Sequence, residues 1–345
     1  MDKLAIGITL GDPAGIGPEI IVRALGHEEA TRSVRPLVYG DARVVEAALP
    51  IVGSKLRVRR FQSARSAATE AQEPGVVDVI DIGNIDTNSL RRGEVQAMCG
   101  RAAFQYIEAA VADAMAGVIA AVDTAPINKE SIRAAGVPFI GHTEMLAELA
   151  HVADPLTMFE TLGLRVFFLT RHVSLRAACD LVTKKRLVDY IARCSRALDG
   201  LLGGAATGAL AIAGLNPHCG EHGLFGDEEG REVEPAIAEA KAAGFRVEGP
   251  IGADSVFHQA KIGKYAAVLS LYHDQGHIAC KTLDFDRTVS LTLGLPFLRT
   301  SVDHGTAFDI AGTGRASEVS MLESILAAAR YAAVYRQGST SRPTS

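Results

Sequence analysis

The chain has 345 residues, 48% of them hydrophobic, which is enough for two domains with large cores. A formal net charge of −5 with scattered basic residues gives no reason to expect nucleic acid or an anionic membrane as a partner. No stretch approaches the roughly 20 apolar residues of a membrane span, and the Met-Asp-Lys start is not a hydrophobic signal segment. We therefore expect a soluble cytoplasmic protein.

Short runs rich in β-branched residues alternate with Ala-rich stretches along almost the whole chain, which is the pattern of an α/β fold. Eight strands are predicted, in LAIGITL, RPLVYG, VVDVIDI, GVIAAVDT, LRVFFLT, GALAIAGL, AAVLSLY and TVSLTLGL. The helices predicted between them lie in PEIIVRALG, GEVQAMCGRAAFQYIEAAVADAMAG, TKKRLVDYIARCSRAL, EEGREVEPAIAEAKAAG and ASEVSMLESILAAARYAAVY. No internal repeat marks a domain border.

The first strand runs into a Gly-rich turn and a helix start, ITLGDPAGIGPEI. Glycines let backbone amides approach a ligand, and a helix N-terminus favours an anion. The pattern is neither a P-loop nor the dinucleotide GxGxxG. A tight structural turn explains these residues about as well as a cofactor loop does; the candidates are Gly11, Asp12, Gly15 and Gly17.

Three histidines stand where apolar strands end: His172 after VFFLTR, His218 after ALAIAGLNP and His273 after AAVLSLY. Ligands gather at strand ends in α/β sheets, and three neutral imidazoles can hold a divalent metal. A single histidine at such a place is usually a satisfied polar residue. Two of these are followed by segments that we interpret as polar loops, HCGEHGLFGDEE and HDQGH, so the pattern predicts a metal site. Zinc suits an all-imidazole site best, and magnesium, manganese or cobalt fit if water and substrate oxygens complete the shell.

A second Gly-rich segment, SVDHGTAFDIAGTG, places a histidine, small residues and an aspartate in one loop. Such a loop suits a backbone that wraps a flat adenine with a carboxylate near a ribose, although a surface turn before the last helix is the alternative. The candidate cofactor-binding residues are His304, Gly305, Thr306 and Asp309.

Both Gly-rich segments resemble loops of the isocitrate and isopropylmalate dehydrogenases: GDPAGIGPE resembles GDGIGPE, and HGTAFDIAGTG resembles HGSAPDIAGKG. Those enzymes bind a nicotinamide cofactor without the GxGxxG fingerprint. The resemblance implies two α/β domains flanking a central active-site cleft. We place domain I, on the cofactor side, at 1–133 plus 306–345, and domain II, with metal, substrate and dimer contacts, at 134–305.

Within that superfamily the chain is similar to the PdxA family of 4-hydroxythreonine-4-phosphate dehydrogenases. The motifs GDPAGIGPEI, TAPINK, AGVPFIGHTE, GLNPHCGE, YHDQGH, TLGLPFLRTSVDHGTA and AGTGRA occur in order over most of the chain. The resemblance implies that His172, His218 and His273 are metal ligands and that NAD or NADP accepts a hydride. It also implies a homodimer whose subunits share the active site.

The same resemblance assigns a substrate pocket. His142 and Thr143, in GHTE, resemble residues that bind the substrate phosphate or its neighbouring groups, and a role as caps of a helix beginning at Glu144 is the alternative. Arg299 ends an apolar run and supplies positive charge for a phosphorylated or carboxylated substrate.

Three further residues are candidates for the chemistry. Lys281 is assigned to proton transfer or to orienting a carboxylate. Asp254 and Asp274 resemble acids of the family's cleft, and Asp274, next to His273, either orients the imidazole or relays a proton.

The implied reaction is a metal-dependent oxidation and decarboxylation that converts 4-phosphohydroxy-L-threonine to 3-amino-2-oxopropyl phosphate, in pyridoxal phosphate biosynthesis. Ser290, in RTVSLTLGLP, replaces an asparagine of the family pattern, and it is compatible with a substrate hydroxyl in place of the amino group. The alternative substrates are therefore 4-phospho-D-threonate and 4-phospho-D-erythronate, which give dihydroxyacetone phosphate. Aromatic dihydrodiol carboxylates, a phosphate acyltransferase activity and a non-catalytic metal-bound dimer stay open.

Overall fold

The computed structural model describes residues 3–203 and 208–340, which fold as alternating strands and helices and confirm the α/β class. The chain divides into two compact units, residues 1–155 with 294–345, and residues 156–293. The domain borders predicted at 133/134 and 305/306 stay a prediction.

The first unit contains six parallel strands in the order β3-β4-β2-β1-β5-β12. The strands are β1 (Leu4–Thr9), β2 (Val34–Gly40), β3 (Arg57–Phe61), β4 (Val76–Asp81), β5 (Ala121–Thr124) and β12 (Leu298–Val302). The helices are α1 (Gly17–Leu25), α2 (Glu28–Arg32), α3 (Ala42–Ile51), α4 (Ala64–Ala68), α5 (Ala97–Met115), α6 (Lys129–Ala134), α7 (His142–Leu149) and α13 (Val319–Thr340).

The centre of this sheet is apolar because its parallel strands are covered on both faces. β2 is buried along its whole length, and Ile6 and Ile8 of β1 are fully buried. Tyr39 and Tyr106 are among the largest fully buried side chains of the unit.

The second unit contains six strands in the order β11-β6-β7-β10-β8-β9. The strands are β6 (Leu156–Thr161), β7 (Leu164–Phe168), β8 (Leu210–Ala213), β9 (Val247–Ile251), β10 (Ala267–Ser270) and β11 (Val289–Leu293). The helices are α8 (Leu175–Leu181), α9 (Lys184–Leu202), α10 (Glu234–Ala242), α11 (Ala253–Lys261) and α12 (His273–Leu283), and a π-helical turn over Glu229–Val233 precedes α10.

Strand direction divides this second sheet. β7, β10, β8 and β9 run parallel to one another, whereas β6 pairs antiparallel with both β7 and β11. A core cluster that includes Phe159, Val166, Phe168 and Val268 packs α11 and α12 on the strands. The carboxyl ends of β7, β10 and β8 therefore meet at one edge of the sheet.

All eight predicted strands and all five predicted helices are present, with bounds shifted by a few residues. Four strands went unpredicted: β3, β6, β9 and β12. Among the described residues, no helix is long and apolar enough to cross a membrane.

Candidate functional site

The three histidines follow three neighbouring parallel strands of the second unit. His172 comes four residues after the end of β7, His218 follows β8, and His273 follows β10 as the first residue of α12. β10 lies between β7 and β8. The histidines consequently start from the same edge of one sheet.

Two of the imidazoles are close enough to share a cation. The ring centroids of His172 and His273 are 5.7 Å apart. A zinc–nitrogen bond is about 2 Å long, so two rings bound to one ion have centroids about 5–6 Å apart. The His273 Nδ1 lies 2.7 Å from the Asp274 carboxylate, to which its N–H donates, and this tautomer leaves Nε2 as the coordinating atom.

The third imidazole is not part of that pair within one chain. Over residues 3–203 and 208–340, no three His, Cys, Asp or Glu side chains are grouped closely enough to hold a metal ion. The described part of one chain thus offers a divalent cation two imidazoles, one of them bonded to Asp274, and the place of His218 as third ligand stays a prediction.

His218 begins a segment with an unusual backbone. His218, Cys219, Glu221 and His222 have φ angles of 52°, 55°, 43° and 55°, and Gly220 between them has a φ of 78°. The left-handed region costs an L-residue about 1–2 kcal/mol. A turn of this kind persists only when its surroundings hold it.

Two buried side chains hold the residues that lead into this segment. The Glu229 carboxylate, 2% exposed, accepts hydrogen bonds from the backbone N–H groups of Leu215 and Asn216 at 2.8 and 2.7 Å. The Gln275 amide donates to the Gly214 carbonyl at 2.8 Å and accepts from the Leu271 N–H at 2.7 Å. Gln275 thus joins the residue after β8 to the residue after β10.

The prediction that HDQGH is a polar loop is wrong, because this segment is the first turn of α12. Its glycine serves helix packing rather than a turn. A Cβ atom at Gly276 would lie 2.6 Å from the Phe168 ring and 2.7 Å from the Ser270 hydroxyl. Glycine therefore brings α12 close to the sheet and sets the position of His273.

The two predicted cleft acids line one pocket of the second unit. The pocket has a volume of about 730 Å³, and Asp254, Asp274, Tyr272 and Gln275 contribute to its wall. Asp254 lies in the first turn of α11 and Asp274 in the first turn of α12. The structure thus brings together two of the three residues predicted to take part in the chemistry.

The remaining predicted residues of this unit lie further along the same elements. Lys281 is in α12, two helical turns after His273, with its Nζ 5.0 Å from the centre of the Phe285 ring. Ser290 lies in β11, where it is 8% exposed and pairs in register with Phe159 of β6.

In the first unit, His142 lies near Arg299. The helix α7 begins at His142 with Gly141 as its cap, and no side chain caps it, so His142 and Thr143 are not its caps. Burial and the Arg299 charge hold the pKa of His142 well below its ordinary value, and its Nε2 has no hydrogen-bond partner. The imidazole is therefore neutral.

Arg299 is buried, at 5% exposure, and donates from Nε and Nη2 to the Thr124 hydroxyl at 3.1 and 2.6 Å. Burial lowers the pKa of its guanidinium to about 10, which still leaves it charged at neutral pH. A buried cation of this kind suits a carboxylate or phosphate ligand.

Asp123 is a buried acid in this region that we did not predict. Its Oδ1 accepts from the Ser324 hydroxyl at 2.5 Å, and its Oδ2 has no hydrogen-bond partner. Burial raises its pKa to about 6. An aspartate inside the apolar run of β5 was the available sequence signal.

The N-terminal glycines are explained by packing alone. A Cβ at Gly11 would lie 2.3 Å from the Pro126 carbonyl, and one at Gly17 would lie 2.3 Å from the Leu10 carbonyl. Gly15 packs on Thr306 in the same way. Their role in binding a cofactor stays a prediction.

Asp12 is fully buried, and its Oδ1 accepts from the Ala14 N–H at 2.9 Å. Burial raises its pKa to about 6. This position supports the turn from within, and direct contact with a cofactor stays a prediction.

The two Gly-rich segments lie against each other. The Ile16 N–H donates to the Thr306 carbonyl at 3.0 Å. The buried carboxylate of Glu19 accepts from the backbone N–H groups of Gly312 and Gly314 at 2.5 and 2.8 Å. Glu19 therefore anchors the second segment on α1.

The other predicted cofactor residues lie on the outer part of that segment. Gly305 and Asp309 are exposed, and His304 has its Nδ1 3.0 Å from the Gly305 carbonyl. They are accessible to a ligand at the surface of the first unit.

Comparisons with known proteins match nearly the whole chain. A family model described as pyridoxal phosphate biosynthetic protein PdxA matches residues 32–328. A relative from Symbiobacterium thermophilum, by name a D-threonate 4-phosphate dehydrogenase, is 57% identical over 96% of this chain and 98% of its own. A relative of the same name from Clostridium botulinum is 56% identical over 97% of this chain and 99% of its own. A 4-hydroxythreonine-4-phosphate dehydrogenase structure from Klebsiella pneumoniae has a TM-score of 0.86 and 42% identity, covering 96% of this chain and 98% of that one.

The fold and these matches define an oxidoreductase of the dehydrogenase class, with the α/β architecture of the isocitrate and isopropylmalate dehydrogenases. Within that class, the chain belongs to the PdxA family. The predicted family, fold class and enzyme class are confirmed. Membership implies, in general terms, NAD(P), a divalent cation and a small phosphorylated substrate.

Proposed function

We propose that the chain oxidises D-threonate 4-phosphate at C3 with NAD(P)⁺ and decarboxylates the resulting β-keto acid to dihydroxyacetone phosphate. The dehydrogenase chemistry is supported by the His172–His273 pair with Asp274 bonded to His273. The choice of substrate is supported by the names of relatives that are 56–57% identical to this chain.

Arg299 and His142 are proposed to bind the anionic ends of the substrate. Arg299 supplies a fixed charge, and the neutral His142 offers an Nε2 that lacks a partner in the protein. A substrate oxygen that meets this nitrogen would satisfy a buried polar atom, which strengthens the interaction. Thr143, at the start of α7, adds a hydroxyl donor.

Lys281, Asp254 and Asp274 are proposed to handle protons and the substrate carboxylate. Asp274 holds the His273 tautomer through the Nδ1 bond. Asp254 faces the same pocket and can take the hydroxyl proton directly or through a water molecule. Lys281 is the cation available on α12 for the carboxylate that leaves as carbon dioxide.

The divalent cation, zinc by preference for imidazole ligands, would be held by His172, His218 and His273, and when bound it supplies Lewis acidity at the substrate oxygen. The segment with His304, the exposed Gly305 and Asp309, and the buried Thr306 is the proposed contact for the NAD or NADP adenosine. The turn with Gly11, Asp12, Gly15 and Gly17, on which Thr306 packs, is proposed to support it.

A homodimer that shares the site is also part of the proposal. One chain brings two imidazoles together and leaves His218 apart, so a second copy is proposed to complete the set. Beside the His273 helix, Ile278 and Phe285 are each 63% exposed and Leu283 is 38% exposed. Exposed apolar side chains of this kind favour contact with a second chain.

The second candidate substrate is 4-phosphohydroxy-L-threonine. It is favoured by the description of the family model and by the name of the Klebsiella structure. Ser290 distinguishes the two, because one short hydroxyl offers fewer hydrogen bonds to an amino group than an asparagine amide does.

The test is turnover of the two substrates by the zinc-loaded chain with NAD⁺ and with NADP⁺, followed by reduced nicotinamide absorbance. We expect a preference for D-threonate 4-phosphate, and we expect Ser290→Asn to shift the ratio of kcat/KM values toward the amino substrate by about tenfold. Ser63→Asn, at an exposed helix cap, is the control and should leave the ratio unchanged. If no reduced cofactor forms with either acid, the proposed function fails; if Ser290→Asn leaves the ratio unchanged, the argument from Ser290 fails.

A further inference from the structure

One buried carboxylate accepts most of the hydrogen bonds from the two residues that lead into the left-handed turn of His218. Glu229 is nearly inaccessible, and three N–H groups of the Leu215–Asn216 pair converge on it: two from the backbone and one from the Asn216 amide, at 2.8, 2.7 and 2.8 Å. These residues immediately precede Pro217 and His218. Glu228 adds a second, half-buried acceptor for the Asn216 amide at 2.7 Å.

The turn is a short run of left-handed helical backbone over residues 218–222, which L-residues do not favour. Its non-glycine residues have positive φ angles, a conformation that an L-residue leaves when nothing opposes the change. Its remaining ties are short-range, such as the Cys219 N–H to the Asn216 carbonyl at 3.1 Å and the Phe225 N–H to the Gly220 carbonyl at 3.1 Å. The long-range restraint on the two residues directly before Pro217 comes from Glu229, thirteen residues after Asn216.

A second residue, Gln275, ties the same N-terminal side of this loop to the His273 helix. Gln275 connects the Gly214 carbonyl to the Leu271 N–H, and His273 lies two residues before Gln275. Loss of the Glu229 contacts would therefore release the turn while the Gln275 link to β8 persists. The expected result is a displaced His218 on an otherwise folded unit.

We infer that Glu229 is a positioning residue that fixes the strand-end turn so that the His218 imidazole is held ready for the cation. This inference rests on the proposed function, in which His218 is a metal ligand. It concerns the backbone that presents the ligand, and it assigns Glu229 no contact with substrate, cofactor or metal.

The test measures metal binding rather than turnover. Full-length Glu229→Gln and Glu229→Asp variants are titrated with Co²⁺, and the affinity is read from the ligand-field absorption. Glutamine keeps the size and loses the charge, whereas aspartate keeps the charge and loses the reach to the two backbone N–H groups. We expect the Kd of both variants to rise about 10- to 100-fold, the range typical of residues that orient a metal ligand. Glu234→Gln, an exposed acid five residues further on, is the matched control and should bind as the parent does.

A double-mutant cycle shows whether Glu229 acts through His218. In a His218→Ala background, Glu229→Gln should weaken Co²⁺ binding no further, because the ligand that it positions is absent. Thermal unfolding of each metal-free variant checks the fold, and Glu229→Asp carries the test if Glu229→Gln does not fold.

The outcomes separate the inference from the proposed function. Weak binding by His218→Ala together with parental binding by Glu229→Gln would overturn the inference alone. Additive losses in the cycle would also overturn it, since Glu229 would then act elsewhere. A parent chain that binds no Co²⁺ would overturn both the inference and the metal site of the proposed function.

Discussion

Each of the two units anchors a Gly-containing loop with a buried glutamate, but the backbone strain of the two loops differs. Glu19 accepts from the N–H groups of Gly312 and Gly314, whose φ angles of 82° and 68° are readily adopted by glycine. Glu229 holds a turn in which four non-glycine residues, His218 among them, adopt φ angles of the same sign. Glycine carries the positive φ angles in the first loop, whereas the second loop places side chains, among them the proposed ligand His218, on strained backbone.

The largest effect is expected in the loop that Glu19 anchors, where glycines adopt the positive φ angles. Gly314→Ala introduces a Cβ 2.5 Å from the Ile51 carbonyl at a φ of 68°, so we expect a loss of about 3–4 kcal/mol in the free energy of unfolding, measured in urea. Gly53 has a φ of 63° with nothing within 4 Å, and Gly53→Ala should lose only about 1 kcal/mol. Equal losses would show that backbone strain, rather than close packing, fixes this segment.

A slightly smaller effect is expected at Asp123. Unlike the carboxylates of Glu19 and Glu229, which anchor the two loops, the Asp123 carboxylate has an Oδ2 without a hydrogen-bond partner. Because burial raises the Asp123 pKa from 3.8 to about 6, the native state takes up a proton between pH 6 and 4 before the unfolded chain does. Stability from this group therefore rises as the pH falls, by up to about 3 kcal/mol relative to Asp123→Asn.

The measurement is the free energy of unfolding of parent and Asp123→Asn at a series of pH values from 4.5 to 7.5. The exposed Asp286→Asn serves as the control and should follow the parent profile. Parallel profiles for parent and Asp123→Asn would contradict the raised pKa.

The smallest expected effect tests the strained turn. His222 is exposed and has a φ of 55°, so His222→Gly should stabilise the chain by about 0.5–1 kcal/mol, as relief of strain outweighs the added freedom of the unfolded chain. His222→Ala removes the same imidazole and keeps the strain, and it should bring no gain. A gain from both variants would attribute the effect to the side chain instead of the backbone.

The sequence predicted the buried strands because parallel strands covered on both faces are continuous apolar runs. It missed β3, whose RVRRF is charged, and β12, whose LRTSV carries Arg299. It placed the three histidines after strands, and those strands prove to be neighbours. The start of α12 was mistaken for a loop because Gly276, a packing contact in the fold, reads as a turn residue in the sequence.

The anchoring residues could not be found by the same reasoning. Glu229 and Gln275 act on backbone groups that are distant along the chain, so no local spacing identifies them. Glu229 looks like one of many acids in a polar stretch, and only the fold shows that it is inaccessible to solvent. Asp123 was visible as a polar residue in an apolar run, but its missing partner was not.

The two hydrogen bonds made by the Gln275 side chain bear on how substrate preference can change within this fold. One amide bonds both the residue after β8 and the residue after β10, so it directly links the His218 segment to the His273 helix. Ser290 lies in β11, which contributes no residue to the link that Gln275 makes. A substitution at Ser290 can therefore change which acid is accepted without altering the residues proposed to hold the cation.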